Sequence, residues 1–170
     1  EAIGTALVPV MEGTTPILIE VQALTSPSYG PIPRRVANGV DYNRLLMLSA
    51  VSAKRAGLSL HNQDIIVNIA GGFKITEPAA DMGIIMAIAS SLYNKPLGPD
   101  LAVFGEVGLS GELRQVNQSD RRINEVSRLG LSRCLLPQLL KTSNPTDINL
   151  VHCRTITDAL SKTISGKIDQ

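Results

Sequence analysis

Alternating apolar and polar positions open the chain with two arms. Residues 3–10 (IGTALVPV) and 16–24 (PILIEVQAL) are rich in β-branched side chains and flank a Met-Glu-Gly-Thr-Thr turn, which predicts an antiparallel hairpin. The pattern then lapses over residues 26–38, where three prolines predict a long irregular segment carrying Arg34 and Arg35 side by side. Asp41 as N-cap and Gly57 as stop delimit a helix over residues 42–56, with Arg44, Leu48, Val51 and Arg55 near one stripe and Leu45, Ser49 and Ser52 on another. Residues 64–70 (DIIVNIA) read as a strand ending at a Gly-Gly pair. Beyond it lies the stretch around which the rest is organised, residues 71–92. Pro78 suits a first helical turn, Asp81 complements the helix dipole, and from Ala79 onward the axis is apolar on all sides, as in a buried helix.

The second half alternates strands and helices. Residues 101–107 read as one strand, 108–111 as a turn and 112–116 as an extended segment. Ser119 or Asp120 caps a helix to Leu129 that Gly130 stops. A strand is expected over 133–136, a short helical turn over 137–140, a last strand over 149–153, and a helix from Thr155 or Thr157 to about Lys162. A hairpin followed by alternating elements predicts an α/β fold with a mixed sheet in one domain, residues 1–165, with 166–170 as a tail.

Composition narrows the classes. A chain of 170 residues with 44% hydrophobic content supports its own core without disulfides, so Cys134 and Cys153 read as buried thiols of a reducing compartment. Zinc is not expected, because His152 and Cys153 are strand neighbours whose side chains point to opposite faces, leaving His61 and Cys134 without a matching set. Neither phosphate-loop spacing occurs at Gly71-Gly72, so no nucleotide site and no cofactor of this domain is expected. A net charge of +1 cannot by itself argue for nucleic acid, and three Tyr, two Phe and no Trp leave little for base stacking. The chain carries no signal peptide and no apolar span of membrane length, which predicts a cytoplasmic protein without a membrane partner. Its start at Glu1 rather than Met reads as an excised domain.

The phrases EPAADMGIIMAIAS and FGEVGLSGELRQV, with a helix ending RLGLSRCLLP, resemble the proteolytic domain of Lon proteases over roughly residues 1–160. In that family a GPSAG-type motif supplies a serine nucleophile, and a lysine downstream of the glycine-glutamate segment is its base. Pro78 matches the motif's proline, which puts Ala79 at the serine and Asp81 at the motif's glycine. Counting from Gly105 without gaps puts Asp120 at the lysine, with Arg121 and Arg122 as the nearest cations. The segments PRRVANGVDYNRLLMLSAVSAKRAGL and NQDIIVNIAGGF, with EPAAD and VFGEVGLSGELR, are more specifically similar to the C-terminal Lon-like domain of the RadA (Sms) family of bacterial DNA-repair proteins. That resemblance implies a ribosomal-protein-S5-domain-2-like fold, a hexameric ring, and a DNA-binding, non-proteolytic scaffold role in recombination. It also implies an upstream zinc ribbon and RecA-like ATPase, so ATP, magnesium and zinc are expected there.

Three functions follow for the domain. A hydrolase needs an activated nucleophile, and Ala79 with Asp120 supplies neither serine nor base. A DNA-binding module would use loop and helix-start cations on phosphates: Arg34, Arg35 and Arg44, with Lys74 and Arg114 in turns flanking the motifs. Arg44 stands out, because a first-turn cation opposes the helix dipole unless an anion compensates it, and phosphate is the obvious anion. The third reading is a purely structural ring without DNA contact.

Overall fold

The computed structural model describes residues 2–138 and 147–165. The hairpin forms as β1 (Thr5–Glu12) and β2 (Thr15–Pro27), paired from Thr5 against Gln22 to Glu12 against Thr15. Gly13, at φ 62°, takes the first of two turn positions, where the absence of a Cβ removes the strain.

The expectation of an irregular segment throughout residues 26–38 is corrected. β2 runs on to Pro27, and Arg35–Asn38 form a short edge strand, β3. β4 (Gln63–Ile69) pairs with both, antiparallel with β2 and parallel with β3. The short edge strand has no alternation long enough to read, and its register is fixed from outside: the Asp64 carboxylate accepts the Arg34 N–H at 2.7 Å.

Helix α1 (Tyr42–Ala56) has the predicted caps, with the Asp41 side chain accepting the Arg44 N–H and Gly57 left-handed at φ 70°. Both stripes of the helix contribute to its buried face, and the Ser49 and Ser52 hydroxyls are satisfied by donating to the Leu45 and Leu48 carbonyls. After a single turn over Pro78–Ala80, helix α2 (Asp81–Tyr93) is buried at every position from Asp81 to Ser90. It packs on β1 and β2, and its adjacent serines fasten it there. Ser90 Oγ accepts the Gly4 N–H at 2.9 Å, and Ser91 Oγ accepts the Thr25 N–H at 2.9 Å.

The strand expected over residues 101–107 breaks in two. β5 (Leu101–Val103) joins the main sheet, whereas β6 (Glu106–Val107) turns away to pair with β7 (Leu113–Arg114). Gly105 makes the break at φ 151°, with its Cα facing the Pro137 ring so closely that a Cβ would sit 2.9 Å from Pro137 Cγ. Helix α3 (Ser119–Arg128) packs against β1 and β2, and β8 (Arg133–Pro137) extends the sheet beside β5. Pro137 closes β8 rather than opening a helical turn, a correction; residues 139–140 of that expectation lie outside the described residues, as does the tail. β9 (Asn149–Cys153) and helix α4 (Ile156–Leu160) follow, the latter capped by Thr155 Oγ1 accepting the Asp158 N–H. The main sheet has the order β3-β4-β2-β1-β5-β8-β9, and the fold is α/β with a mixed sheet, as the sequence predicts.

Candidate functional site

The EPAAD segment turns where two pieces of backbone meet. Glu77 is extended, Pro78–Ala80 make one tight turn, and Asp81 opens α2. The Ala79 carbonyl accepts the Gly105 N–H at 2.8 Å, and the Gly105 carbonyl accepts the Met82 N–H at 3.1 Å, so the β5–β6 break is laced directly to this turn. Ala79 is buried at its centre.

On either side of Ala79 a carboxylate holds an arginine. Glu77 Oε1 lies 2.6 Å from Arg122 Nη1 and Oε2 3.0 Å from Nη2, while the Met11 N–H also donates to Oε1. Arg122 is 0% exposed, which a guanidinium tolerates only when every donor is used. Here every one is: Nε donates to the Asn117 carbonyl at 3.0 Å, Nη1 also to the Pro9 carbonyl at 3.0 Å, and Nη2 also to Asn117 Oδ1 at 2.9 Å. The charge also lies 6.0 Å from the centre of the Phe104 ring, within cation–π range.

The second clamp joins Asp81 to Arg44. Arg44 Nε donates to Oδ1 at 2.8 Å, Nη2 donates to Oδ2, and the Val107 N–H adds a third bond at 3.1 Å. Burial pushes the Asp81 carboxyl above the ordinary aspartate range, and Arg44 with the Val107 amide offsets part of that shift. Arg44 in turn is raised, chiefly by its bond to Asp81. The compensating anion that the position of Arg44 demanded is therefore internal. Phosphate, the obvious anion from the sequence, is not needed to balance Arg44 within the fold.

Two cavities flank Glu77 and Pro78. One, of about 210 Å³, is lined by Ala79, Glu106, Asn117 and Arg122; the other, of about 220 Å³, by Asp41, Arg44, Thr76 and Asp81. Asp120, reached by the gap-free count, is exposed on the first turn of α3, whereas Arg122 turns inward with Ile123 and Val126. Arg122 stands four residues before Val126, one helical turn along the same stripe, and that spacing was the available signal for it. Glu77 and Asn117 carried no such periodic mark. Arginine does not accept a proton at neutral pH, and Ala79 offers only a methyl group.

The structure divides the predicted basic set. Arg35 and Asn38 mark the two ends of β3, about 10 Å apart along the strand. At the first end, the Arg34 side chain is 78% exposed with Asp64 at 3.8 Å, while Arg35 donates to the carbonyls of Leu60 and Gln63 and is lowered by burial. Toward the cleft, Arg44 Nη2 is 3.9 Å from Glu106, and Glu106 pairs across β6 and β7 with Arg114, whose own side chain is 61% exposed beside Glu112. Lys74 is exposed and makes no ion pair among the described residues. Arg35 and Arg44 thus each bind internal partners, while the side chains of Arg34 and Arg114 stay largely exposed.

Cys134 and Cys153 are buried and free, and burial pushes their thiols up to about 12 and about 11. Among the described residues no three metal-ligating side chains come together, and no helix is long and apolar enough to cross a membrane.

No family model matches the chain. Proteins named DNA repair protein RadA do: that of Halalkalibacterium halodurans is 46% identical over 163 residues, 95% of this chain and 36% of the relative. That of Bacillus subtilis is 42% identical over 165 residues, 96% and 36%, and that of Escherichia coli 42% identical over 159 residues, 93% and 35%. The chain spans about a third of the length of these relatives. Identity of 42–46% over 93–96% of its length means that the chain belongs to the RadA family of DNA repair proteins.

Proposed function

We propose that this chain is a non-proteolytic scaffold domain of a cytoplasmic DNA-repair ATPase, assembling as a hexameric ring and holding DNA by its phosphates without reading sequence. The observation that carries the reading is the filled cleft. Ala79 stands where a nucleophile would, and both neighbouring carboxylates are occupied by arginines that cannot serve as bases. In this reading ATP, magnesium and zinc belong to parts of the relatives outside the matched third. Arg34, Arg35, Arg44, Lys74 and Arg114 are the phosphate-contacting candidates, and their partial exposure supports that role.

Restoring the hydroxyl alone, Ala79→Ser, is expected to give no turnover of casein, because the Glu77 and Asp81 carboxylates on either side are each bound to an arginine, and arginine does not take a proton. Measurable turnover would overturn the non-proteolytic reading. For DNA the clean test is Arg114→Ala, since its side chain is 61% exposed and no buried group depends on it. Binding to all sequences is expected to weaken alike, with the salt slope lowered by about one. Arg44→Ala strands the buried Asp81 carboxylate, so its DNA affinity has to be read beside a melting curve. Unchanged binding and salt slope in Arg114→Ala and in Arg34→Ala would favour the purely structural ring, for which the internal pairing of Arg35 and Arg44 already speaks.

A further inference from the structure

The exposed apolar side chains are unevenly placed. Of the large hydrophobic residues at the surface, Leu24, Tyr29, Ile32 and Val36 fall within thirteen consecutive positions, with Tyr29 at 95% and Ile32 at 77% exposure. Leu24 and Val36 both pair with Ile66, one from each side, so the three lie in one row on one face of the sheet. Tyr29 and Ile32 sit just beyond, on a loop whose two prolines, Pro31 and Pro33, stiffen it. Its base is fixed at both ends, by the Ser28 N–H on the Asn62 carbonyl at 2.7 Å and the Arg34 N–H on Asp64 at 2.7 Å. Arg35 braces the same base by donating to the Leu60 carbonyl at 3.1 Å. A rigid projection tipped with Tyr and Ile is built for contact.

At the far end of β2 the same chain carries a recess. It measures about 460 Å³, with Val10, Ile17, Phe73 and Ile75 among its walls and Glu12 and Lys74 on its rim. From Ile17 to Pro27 is ten strand steps, about 33 Å, so one copy cannot fill its own recess. Opposite charges are available on both surfaces: the projection carries Arg34 and Asp64, and Glu12 and Lys74 both line the recess, neither of them ion-paired among the described residues. DNA is the poorer occupant for the projection, because nucleic-acid interfaces are strongly basic and this surface is mainly apolar, its one cation, Arg34, lying 3.8 Å from Asp64.

We infer that the 28–34 projection and the Leu24–Val36 row of one copy seat in the recess between the β1–β2 turn and residues 72–76 of the next. The inference rests on the ring reading and gives it a head-to-tail contact, the kind that generates closed rings.

The test is the solution mass of the 170-residue chain by light scattering. Wild type is expected to assemble, whereas Ile32→Glu and Phe73→Glu, both at exposed positions, are each expected to stay monomeric with an unchanged far-UV circular dichroism spectrum, the contact weakened on the order of 30-fold or more. Mixed in equal amounts, the two variants retain one intact projection and one intact recess between them, so they are expected to give a dimer and nothing larger. Assembly that survives both substitutions would overturn this contact while leaving a ring standing. A monomeric wild type would remove both. Variants of wild-type mass that no longer bind a labelled oligothymidylate would assign the projection to DNA instead.

Discussion

Glu77→Ala is expected to cost about 3–5 kcal/mol of folding stability, the range for removing one partner of a buried ion pair. The reason lies with what remains. Arg122 is 0% exposed and cannot lose its proton, so without Glu77 its charge stays inside the fold with only neutral acceptors, and the Met11 N–H loses its partner as well. Against a total stability of about 5–15 kcal/mol this is a large share, and the melting temperature is expected to fall by roughly 6–20 °C. The reverse change, Arg122→Met, leaves a half-buried carboxylate that can turn toward water through its 23% exposed surface. It should therefore cost less. In the double variant both charges are gone, and the loss is expected to be smaller than the sum of the two by about 0.5–3 kcal/mol. Denaturant titration of the three variants measures this directly. A Glu77→Ala loss under about 1 kcal/mol would mean that the clamp does not hold the turn.

Much of the fold is legible in the sequence because most elements carry a periodic signal or a cap. Asp41 and Gly57 give both ends of α1, and the all-round apolar run from Ala79 gives α2. What escapes is structure set by partners distant in sequence. β3 has four residues and takes its register from Asp64 and β4, and the strand over 101–107 is cut by a glycine whose reason is Pro137, thirty-two residues on. The cleft shows the same division. Ala79 and Asp81 are placed by a local motif, whereas the partner of Asp81 is Arg44 and that of Glu77 is Arg122, pairs separated by 37 and 45 positions. An unpaired charge in a sequence invites an external ligand; the fold can supply the counter-ion first.

Gly83→Ala is expected to destabilise the domain by about 1–3 kcal/mol, although alanine is the better helix former by about 1 kcal/mol. Gly83 lies on the first full turn of α2 against β1, where a Cβ would come within 2.2 Å of Val8 Cγ2. Val8 is itself 0% exposed and β-branched, so its χ1 is stiff and its methyl cannot swing aside. Relief requires α2 to lift from the sheet, and α2 is fastened at both ends. Near its start the Met82 N–H is bound to Gly105 and Asp81 to Arg44; near its end Ser90 and Ser91 are bound to Gly4 and Thr25. A shift of the helix would therefore also disturb the Asp81 clamp. If this steric account is right, Val8→Ala should remove the clash while opening a small cavity, and Val8→Ala/Gly83→Ala should be more stable than the sum of the two single losses predicts. Strictly additive losses would show that the helix simply moves, and that the glycine is not what sets the distance between α2 and the sheet.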